Sequence, residues 1–333
     1  MATSTSSLTF STACLLRSLS LSVTNLRQPS AAFHPIFSFS PPLRLRRHHQ
    51  QQQQLLVRRR LIYSANWRRA STKSTTAMAG APATGNKVVE VFDSEEDLSV
   101  SLAKYTADLS EKFARERGSF TVVLSGGSLI KSLRKLLEPP YIESIEWSKW
   151  HVFWVDERVV PKDHVDSNYK LAFDGFLSHV PILPGNVYAI NDALSAEGAA
   201  DDYETCLKNL VNARVIDVSP VTSFPKFDLM LLGMGPDGHV ASLFPGHPLV
   251  NENQKWVTHI MDSPKPPPQR ITFTFPVINS SAYIALVVCG SGKANAVQSA
   301  LGKDQNSDVL PVQMVSPEGE LKWFLDKDAA SKL

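Results

Sequence analysis

The sequence predicts an α/β protein with one doubly wound, mainly parallel sheet that carries helices on both faces. The observations behind this prediction are short continuous apolar runs, amphipathic stretches between several of them, and a Gly- and Ser-containing loop where one apolar run leads into a helix. Continuous apolar strands separated by helices are typical of a parallel sheet that is covered on both faces. A ligand of such a sheet is expected at the carboxyl ends of its strands.

The elements are assigned in chain order from apolar runs and from three- and four-residue apolar spacing. A strand from Val88 to Phe92 is followed by Ser94 as the cap of a helix from about Asp97 to Arg117, whose apolar residues fall on one face. The other apolar runs predict strands at Phe120 to Leu124, Trp150 to Val155, Val187 to Ile190, Phe227 to Leu232, Trp256 to Met261, Ile271 to Phe275, Tyr283 to Val288 and Leu321 to Leu325. The other predicted helices are Leu129 to Leu137, Asn168 to Leu177, Ala196 to Asn212 and Lys293 to Leu301.

The charge of the chain is divided between two regions of opposite sign. The 333 residues carry 34 Lys and Arg against 32 Asp and Glu, a formal net charge of +2. Met1 to Lys87 contains twelve of the cations and no acid, which leaves 22 cations against 32 acids and a net charge of −10 for the remainder. This acidic body argues against nucleic acid as a partner, because phosphate backbones are bound by basic surfaces.

The acid-free N-terminal region is predicted to be an organelle transit peptide. It is rich in Ser, Thr and Arg, a composition typical of transit peptides, and its Ser- and Thr-rich start favours the plastid over the mitochondrion. A signal peptide or a nucleic-acid-binding arm fits less well, because the apolar stretch near Leu15 is broken by Arg17 and the basic residues are dispersed. We expect a disordered transit peptide at residues 1–75, recognised by organelle import receptors, and a linker at residues 76–86.

One catalytic α/β domain is expected at residues 87–330, and the tripeptide Ser331-Lys332-Leu333 follows it. This tripeptide matches the peroxisomal targeting signal, and Asp326 to Ala330 is predicted to be a short polar tail before it. A chance match of three residues is the alternative. The transit peptide and the C-terminal tripeptide together predict a plastid protein with a minor peroxisomal pool.

Composition also excludes several other classes of protein. No apolar run approaches the roughly 20 residues of a membrane span, so no membrane partner is expected. Outside the N-terminal region the cysteines are Cys206 and Cys289. Neither a disulfide framework nor a cysteine-rich metal site is therefore expected.

A glycine loop connects a predicted strand to a predicted helix. Ser125-Gly126-Gly127-Ser128 follows the strand that ends at Leu124. Two glycines let the backbone approach a ligand closely, and free amides at a helix start together with two hydroxyl groups suit a phosphate. A nucleotide P-loop is excluded because Ile130, and not Gly, precedes Lys131-Ser132. A plain tight turn is the alternative.

Three ionisable residues, Asp156-Glu157-Arg158, end the apolar strand that begins at Trp150, and Asn168 follows shortly after them. The end of a parallel strand is where ligands bind, although surface charges are also common there. A metal site is not expected, because no pair of His has suitable spacing and the carboxylates are accompanied by an Arg.

The segment Gly233-Met-Gly-Pro-Asp-Gly238 matches the G-x-G-x-x-G pattern of dinucleotide-binding loops. Such a loop is followed by a helix of about a dozen residues, whereas Pro245-Gly246 interrupts this chain soon after His239. Nucleotide binding is therefore not expected. Asp237 and His239 remain on a glycine loop behind an apolar strand, where a His is well placed to act on a ligand.

Two cations begin or precede further elements of the predicted sheet. Arg270 opens the strand at Ile271, and Lys293 follows Gly290-Ser291-Gly292. Each alone is expected to be a solvated charge, but with the glycine loop they form an anion site in which Arg binds two oxygens and Lys supplies a point charge. A phosphorylated substrate, with about −1.5 to −2 charges at neutral pH, fits this set.

Together, these motifs resemble the 6-phosphogluconolactonase family, within the sugar-phosphate isomerase-like superfamily. The matching segments, which span about 240 residues, are Leu124-Ser-Gly-Gly-Ser128, Trp154-Val-Asp-Glu-Arg-Val-Val-Pro161 with Asp166-Ser-Asn168, Leu232-Gly-Met-Gly-Pro-Asp-Gly-His-Val-Ala-Ser-Leu-Phe-Pro245, and Arg270-Ile-Thr with Lys293. One departure is that Ser128 is followed by Leu129 and Ile130, where the family often continues Ser-Thr-Pro. This weakens one hydroxyl contact to a phosphate and leaves the backbone loop intact.

The resemblance implies hydrolysis of 6-phospho-D-glucono-1,5-lactone to 6-phospho-D-gluconate, the second step of the oxidative pentose phosphate pathway, without a metal or cofactor. A lactone carbonyl needs no covalent nucleophile, so a base that deprotonates water suffices, and His239 has an ordinary pKa near ~6.5. Asp237 is expected to orient His239, and Arg158 to stabilise the oxyanion. The phosphate is expected at Ser125, Gly126, Gly127, Ser128, Arg270 and Lys293, and other substrate contacts at Asp156 and Asn168.

Two alternative functions remain open. The glucosamine-6-phosphate deaminase branch of the superfamily shares the glycine loop and Asp-Gly-His, but it continues with an Asn-Glu pair where this chain has Leu243-Phe244. The second alternative is a non-catalytic sugar-phosphate sensor. Such sensors usually come with a DNA-binding module, and the acidic body shows no such module.

Overall fold

The computed structural model describes residues 86–302 and 309–333 of the chain. The predicted transit peptide and all but the last residue of the predicted linker lie outside the described residues. The strands in the described part are β1 (Asn86–Phe92), β2 (Phe120–Leu124), β3 (Trp150–Trp154), β4 (Asp156–Arg158), β5 (Asp217–Val218), β6 (Pro225–Lys226), β7 (Leu229–Gly233), β8 (Val257–Ile260), β9 (Arg270–Phe273), β10 (Tyr283–Val288) and β11 (Glu320–Asp326).

The helices of the same part of the chain fall between these strands. The α-helices are α1 (Glu95–Arg117), α2 (Leu129–Leu133), α3 (Tyr141–Ser144), α4 (Asn168–Gly175), α5 (Ala196–Asn212), α6 (Phe275–Asn279) and α7 (Ala294–Leu301). Short 3₁₀ helices lie at Arg134–Leu137, Trp147–Lys149, Leu177–His179, Pro184–Asn186, Pro248–Asn251, Ser291–Lys293 and Pro311–Met314. None of these helices is long and apolar enough to cross a lipid bilayer.

Six strands form one sheet in the order β1-β11-β10-β7-β2-β3, and every neighbouring pair in it is parallel. Parallel neighbours require crossover connections, and helices between successive strands of this sheet supply them. A β5-β6 pair forms a small separate ribbon. The prediction of a doubly wound, mainly parallel sheet is confirmed.

Two apolar cores lie on opposite faces of the parallel sheet, because successive residues of a strand point to opposite faces. In β2, Val122 and Leu124 belong to the core shared with α1, α2 and α4. Val123, between them, belongs to the core shared with α5, α6 and α7. Burial on both faces explains why these strands are continuous apolar runs in the sequence.

The long helix α1 begins two residues before its predicted start. Ser94 is its N-cap, and Ser94 Oγ accepts a hydrogen bond from the amide of Asp97 at 3.1 Å. Glu95 and Glu96 add negative charge at the positive end of the helix dipole. The helix ends at Gly118, whose φ of 78° is in the left-handed region. The predicted cap is confirmed.

Two predicted strands lie outside the parallel sheet. Trp256 to Met261 and Ile271 to Phe275 correspond to β8 and β9, which form a three-stranded antiparallel sheet in the order β4-β9-β8. Nine residues separate β8 from β9, and a parallel connection requires about a dozen or more. The short connection explains why β8 and β9 pair with each other in an antiparallel manner and do not join the parallel sheet. Phe275 begins α6 and does not belong to β9.

The predicted strand Val187 to Ile190 is also not a strand. Val187 makes one isolated parallel bridge to Val152, and the amide of Tyr188 donates to the carbonyl of Val152 at 2.9 Å. The 3₁₀ helix Pro184–Asn186 directly precedes these two contacts. The segment therefore follows the edge of β3 too briefly to form a ladder.

Several predicted helices are shorter than the apolar pattern suggests. Leu129 to Leu137 divides into α2 and a 3₁₀ helix, and α4 ends at Gly175 before the predicted Leu177. Lys293 lies in a 3₁₀ turn before α7. No helix occurs between residues 234 and 247, so the G-x-G-x-x-G segment lacks the helix that a dinucleotide-binding loop needs.

The predicted polar tail from Asp326 to Ala330 is folded against the domain. Asp326 is the last residue of β11, and its carboxylate accepts hydrogen bonds from the amides of Gly290 at 2.9 Å and Ala329 at 2.7 Å. Ala329 is fully buried. The prediction of a tail is wrong because Asp326 fixes this turn. The tripeptide Ser331-Lys332-Leu333 is nevertheless exposed.

Candidate active site

A cavity of about 360 Å³ lies at the carboxyl ends of β2, β7 and β10 in the parallel sheet. This is the edge at which a ligand is expected in such a fold, and the volume is in the range of small-molecule sites. Ten of the eleven residues predicted for the site line the cavity. The eleventh, Asp237, contacts His239 at its edge. The structure therefore brings the predicted residues together, while their roles remain predictions.

The glycine loop after β2 forms one side of the cavity. Ser125 Oγ accepts a hydrogen bond from the amide of Gly233 at 3.3 Å and so links the ends of β2 and β7. A Cβ at Gly126 would lie 1.9 Å from Asn168 Oδ1, and Gly127 has a φ of +73°. Both positions therefore require glycine. The amides of Gly127 and Ser128 donate to no described residue, which leaves them available to an anion.

The three ionisable residues of β4 do not all face the cavity, because alternate side chains of a strand point to opposite faces. Asp156 and Arg158 line the cavity. Glu157 points away, and its carboxylate accepts hydrogen bonds from the amides of Asn168 and Tyr169, both at 2.7 Å, at the start of α4. Burial raises the pKa of Glu157 to about 7. Glu157 is therefore a cap for α4.

Asn168 and Arg158 each carry a polar atom that lacks a partner among the described residues. Asn168 Nδ2 donates to the carbonyl of Asp156 at 2.9 Å, whereas its Oδ1 accepts no hydrogen bond. Arg158 Nη1 donates to the carbonyl of Asp166 at 2.6 Å, whereas its Nε is buried without an acceptor. Both side chains line the cavity, so each has hydrogen-bonding capacity that a ligand could use.

His239 forms a pair with Asp237 on the loop after β7. His239 Nδ1 lies 2.6 Å from Asp237 Oδ1. Gly235 leaves room for this pair, because a Cβ at Gly235 would lie 2.0 Å from His239 Nδ1 and 2.5 Å from Asp237 Oδ1. The Phe244 ring packs on the imidazole, with 4.7 Å between centroids. Backbone and side-chain contacts thus fix the imidazole at the cavity.

The ionisation of the pair follows from burial and from its neighbours. Burial lowers the pKa of His239 below its ordinary value, against the opposing effect of Asp237. Burial alone would raise the pKa of Asp237, but hydrogen bonds from His239 and Lys265 hold it at about 2. Near neutral pH, Asp237 is therefore a carboxylate and His239 is largely a neutral imidazole.

Lys265 is a residue of the site that the sequence analysis missed. Its Nζ lies 3.0 Å from Asp237 Oδ1 and 3.1 Å from His239 Nδ1. Lys265 stands in the segment Ser263-Pro-Lys-Pro-Pro-Pro268, between β8 and β9. No periodicity or glycine pattern marks this loop. The one clue in the sequence is a lysine within a proline run beside Arg270.

Arg270 lines the cavity, but most of its hydrogen-bond donors are engaged by the Lys265 loop. Its Nε donates to the carbonyl of Pro267 at 3.0 Å, and its Nη2 donates to the carbonyls of Lys265 at 2.8 Å and Pro266 at 3.0 Å. Its Nη1 lies 4.0 Å from Asp156 Oδ2. Its Nη1 also donates to Ser242 Oγ at 3.4 Å. The guanidinium edge formed by Nε and Nη2 is therefore occupied, and the second N–H of Nη1 is left for a ligand.

The buried position of Arg270 predicts a large contribution to stability. We expect Arg270→Met to lower the free energy of unfolding by roughly 3–5 kcal/mol, as when one partner of a buried ion pair is removed. Urea denaturation measures this, with Lys293→Met as the control, since Lys293 is half-buried and makes one hydrogen bond. Equal loss of stability in the two variants would contradict the structural role of Arg270.

Lys293 contributes a second fixed cation at the end of β10. Its Nζ donates to the carbonyl of Met234 at 2.6 Å, and burial lowers its pKa. Arg158, Lys265, Arg270 and Lys293 are the cations among the described residues that line the cavity, against the carboxylate of Asp156. The cavity therefore attracts anions, in contrast to the acidic body that surrounds it.

Within residues 86–302 and 309–333, no group of three or more His, Cys, Asp and Glu side chains is arranged to hold a metal ion. The geometry of the cavity is thus that of an anion site with one imidazole and two carboxylates, Asp156 and Asp237.

Residues 93–323 match the protein family described as glucosamine-6-phosphate isomerases/6-phosphogluconolactonase. The chain is 75% identical over 247 residues to a protein of Oryza sativa subsp. indica named "Probable 6-phosphogluconolactonase 4, chloroplastic", with 74% of this chain and 76% of the relative covered. It is 73% identical over 247 residues to "6-phosphogluconolactonase 3, chloroplastic" of Arabidopsis thaliana, with 74% and 75% covered.

The fold is also similar to solved structures. The crystal structure of 6-phosphogluconolactonase from Thermotoga maritima has a TM-score of 0.61 and 29% identity, with 73% of this chain and all of that chain covered. The family match at residues 93–323 includes the strands from β2 to β10 and the loops that form the cavity. The chain belongs to the family of glucosamine-6-phosphate isomerases and 6-phosphogluconolactonases.

Proposed function

We propose that this chain hydrolyses 6-phospho-D-glucono-1,5-lactone to 6-phospho-D-gluconate, the second step of the oxidative pentose phosphate pathway. The observation that carries the proposal is the Asp237–His239 pair, fixed at 2.6 Å beside a cavity lined by four cations. Relatives at 73–75% identity are named 6-phosphogluconolactonase, which supports the same activity. The enzyme is accordingly a hydrolase of a sugar phosphate lactone, a small-molecule substrate.

His239 is proposed as the base. Asp237 accepts the hydrogen bond from Nδ1, so the lone pair of the neutral ring is at Nε2. Nε2 takes a proton from water, and the water oxygen forms a bond to C1 of the lactone. When the bond between C1 and the ring oxygen breaks, the electron pair moves to that oxygen, and Nε2 returns the proton to it. The net reaction adds one water and needs no covalent intermediate.

The remaining predicted residues are assigned to binding and charge stabilisation. Arg158 is proposed to stabilise the oxyanion that forms on C1, using the Nε that lacks an acceptor among the described residues. The phosphate is proposed to bind the amides and hydroxyls of Ser125–Ser128 together with Lys293 and Arg270 Nη1. Asp156 and Asn168 are proposed to contact sugar hydroxyls. Binding the phosphate holds the lactone near His239, which removes an entropic barrier.

The direct test is a rate measurement with the full chain and freshly prepared lactone. We expect acid release well above the spontaneous hydrolysis of the lactone, measured by titration at constant pH. A rate equal to the spontaneous background, with the chain folded, would contradict the proposed function. Binding of the lactone without hydrolysis would instead indicate the sensor alternative.

The deaminase alternative is disfavoured by the residues beside His239. Leu243 and Phe244, which stand where the deaminase branch has Asn-Glu, are both fully or nearly fully buried. Phe244 packs against His239 and under the guanidinium of Arg270, so its position has no carboxylate for proton transfer during ring opening. We expect no ammonia release when the chain is incubated with glucosamine 6-phosphate and ammonia is measured enzymatically.

Lys293 is expected to act through phosphate affinity. A hydrogen bond to a charged group contributes about 1.5–3 kcal/mol net, so Lys293→Ala should raise KM for the phosphorylated lactone roughly tenfold or more. The comparison substrate is unphosphorylated gluconolactone, for which the variant and the unchanged chain should give similar kinetics. An equally large loss with both substrates would show that Lys293 does not contact the phosphate.

We infer a plastid location, with residues 1–75 as the transit peptide and import receptors as its partners. The relatives at 73–75% identity are named chloroplastic, and the acid-free Ser-, Thr- and Arg-rich composition supports the same address. The exposed Ser331-Lys332-Leu333 supports a minor peroxisomal pool. Met78 offers a second start that would omit the transit peptide.

A fluorescent protein inserted between residues 80 and 86 tests both addresses, because both ends of the chain stay free. We expect fluorescence mainly in plastids. Deletion of residues 1–77 should move it to peroxisomes, and further removal of Leu333 should leave it in the cytosol. A cytosolic signal from the leaderless chain with its C-terminus intact would contradict the peroxisomal proposal and leave the plastid proposal standing.

A further inference from the structure

Lys265 and His239 share one oxygen of Asp237. Lys265 Nζ lies 3.0 Å from Asp237 Oδ1, and His239 Nδ1 lies 2.6 Å from the same atom. The two nitrogens are 3.1 Å apart. An ammonium group is therefore in van der Waals contact with the imidazole that is proposed to act as the base.

The backbone of Lys265 is held in place by its own hydrogen bonds. Its amide donates to Ser263 Oγ at 3.3 Å, and its carbonyl accepts from Ser263 Oγ and from Arg270 Nη2, both at 2.8 Å. The side chain of Lys265 takes no part in these bonds. A substitution of this side chain should therefore leave the loop in place.

The shared oxygen determines the tautomer of His239. A ring nitrogen without a proton would repel a carboxylate oxygen at 2.6 Å, so Nδ1 carries the proton and donates it to Asp237. Lys265 donates to the same oxygen from a second direction. A second proton on the ring, at Nε2, would then place a positive imidazolium against the positive ammonium group.

We propose that Lys265 is a positioning residue that keeps the His239 ring neutral before catalysis, by placing a fixed positive charge beside Nδ1 and by sharing Asp237 Oδ1. The inference rests on the proposed lactonase function, in which the neutral ring accepts a proton from water. The same charge favours return of that proton to the ring oxygen of the leaving group. Lys265 thus acts through His239 and not on the substrate.

The charges around His239 set the direction of the expected effect. Asp237 and Lys265 are in direct contact, Asp156 faces the ring from β4, Arg270 lies behind Phe244, and Lys293 lines the same cavity. Burial and Lys265 lower the pKa of His239, whereas Asp237 and Asp156 raise it. Removing the charge of Lys265 removes a lowering effect, so the pKa must rise.

The test is an NMR titration of the histidine rings in the full chain, with the His239 resonance assigned from His239→Gln. Lys265→Met removes the charge and keeps most of the side-chain volume, and Lys265→Arg is the matched control that keeps the charge. We expect the His239 midpoint to rise by about one pH unit or more in Lys265→Met, because a charge within about 4–6 Å shifts a pKa by roughly 1–3 units. Lys265→Arg should stay close to the unchanged chain.

The pH profile of the lactonase reaction provides the second readout. The acidic limb of kcat/KM should move upward by the same amount in Lys265→Met. A shift of one pH unit lowers activity about tenfold at pH values well below the midpoint of the unchanged chain, and changes it little at pH values well above both midpoints. A higher KM at every pH with an unchanged His239 midpoint would show that Lys265 binds the substrate, which would overturn the inference.

The two readouts separate this inference from the proposed function. The titration uses no substrate, so it measures the coupling of Lys265 to His239 even if the chain does not hydrolyse the lactone. Lactonase activity with an unchanged or lowered midpoint in Lys265→Met would overturn the role of Lys265 alone. Absence of activity with a raised midpoint would overturn the proposed function and leave the electrostatic coupling in place.

Discussion

Replacement of His239 by Ala is expected to lower kcat for the phosphorylated lactone about 10²–10⁴-fold, the contribution of a well-placed general base. KM should change little, because the proposed phosphate contacts lie on the glycine loop and at Lys293, on other elements of the cavity. The imidazole contacts Asp237, Lys265 and Phe244 but is not part of either apolar core. The variant should therefore fold normally and still bind 6-phosphogluconate.

His179→Ala is the matched control for this experiment. His179 is exposed at the end of the 3₁₀ helix Leu177–His179, away from the cavity. Its kcat and KM should equal those of the unchanged chain. A His239→Ala variant that keeps a rate well above the spontaneous background would remove His239 from the proposed mechanism.

Gly235→Ala is expected to reduce kcat about 10²-fold or more without unfolding the protein. The added Cβ would lie 2.0 Å from His239 Nδ1 and 2.5 Å from Asp237 Oδ1, so one of these side chains must move. The backbone of Gly235 is not in the left-handed region, and the effect therefore arises from displacement of the pair. Misplacement of a catalytic group by about 1 Å can reduce the rate by 10²-fold.

Gly185→Ala is the control for the glycine substitution, because a Cβ at Gly185 would meet no atom within 4 Å and its backbone conformation suits alanine. Steady-state kinetics and thermal unfolding of both variants separate loss of function from loss of stability. If Gly235→Ala keeps full activity, then the spacing of the Asp237–His239 pair is not required for catalysis.

The parallel sheet was predictable because its strands are buried on both faces. Burial on both faces produces runs such as Phe120 to Leu124 and Tyr283 to Val288, and the observed strands have these same bounds. The antiparallel sheet was not predictable from the same pattern. Its central strand β9 and its edge strand β8 each combine two apolar with two polar residues, and the sequence does not show which sheet a strand joins. The short β4 consists of charged residues and has no apolar pattern at all.

The position of the site followed from a geometric rule and not from the residues alone. Loops at the carboxyl ends of parallel strands meet at one edge, so Ser125, Asp156 and His239 could be placed together before the structure was known. Lys265 was not predicted because the antiparallel connection between β8 and β9 places it at the cavity. That connection depends on tertiary structure, and a lysine between prolines has no periodic pattern.

The hydrogen-bond partners of the cations could also not be predicted from the sequence. Arg270 was assigned to the phosphate because of its place at a strand start, whereas the structure engages its Nε and Nη2 with three carbonyl groups. The segment from Asp326 to Ala330 also differs from its prediction as a tail. The carboxylate of Asp326 accepts a hydrogen bond from the amide of Gly290 and so holds this segment against the domain. A sequence shows which polar residues are present, but the backbone groups to which they form hydrogen bonds depend on the fold.

A crystal structure of the chain with bound 6-phosphogluconate would show directly whether His239 faces the reacting carbon. We expect His239 Nε2 to face the C1 carboxylate of the product, directly or through one water, with Arg158 at a carboxylate oxygen. The phosphate should contact the amides of Gly127 and Ser128 and the ammonium group of Lys293. A product bound in the reverse orientation, with its phosphate at His239 and C1 at the glycine loop, would contradict the proposed mechanism.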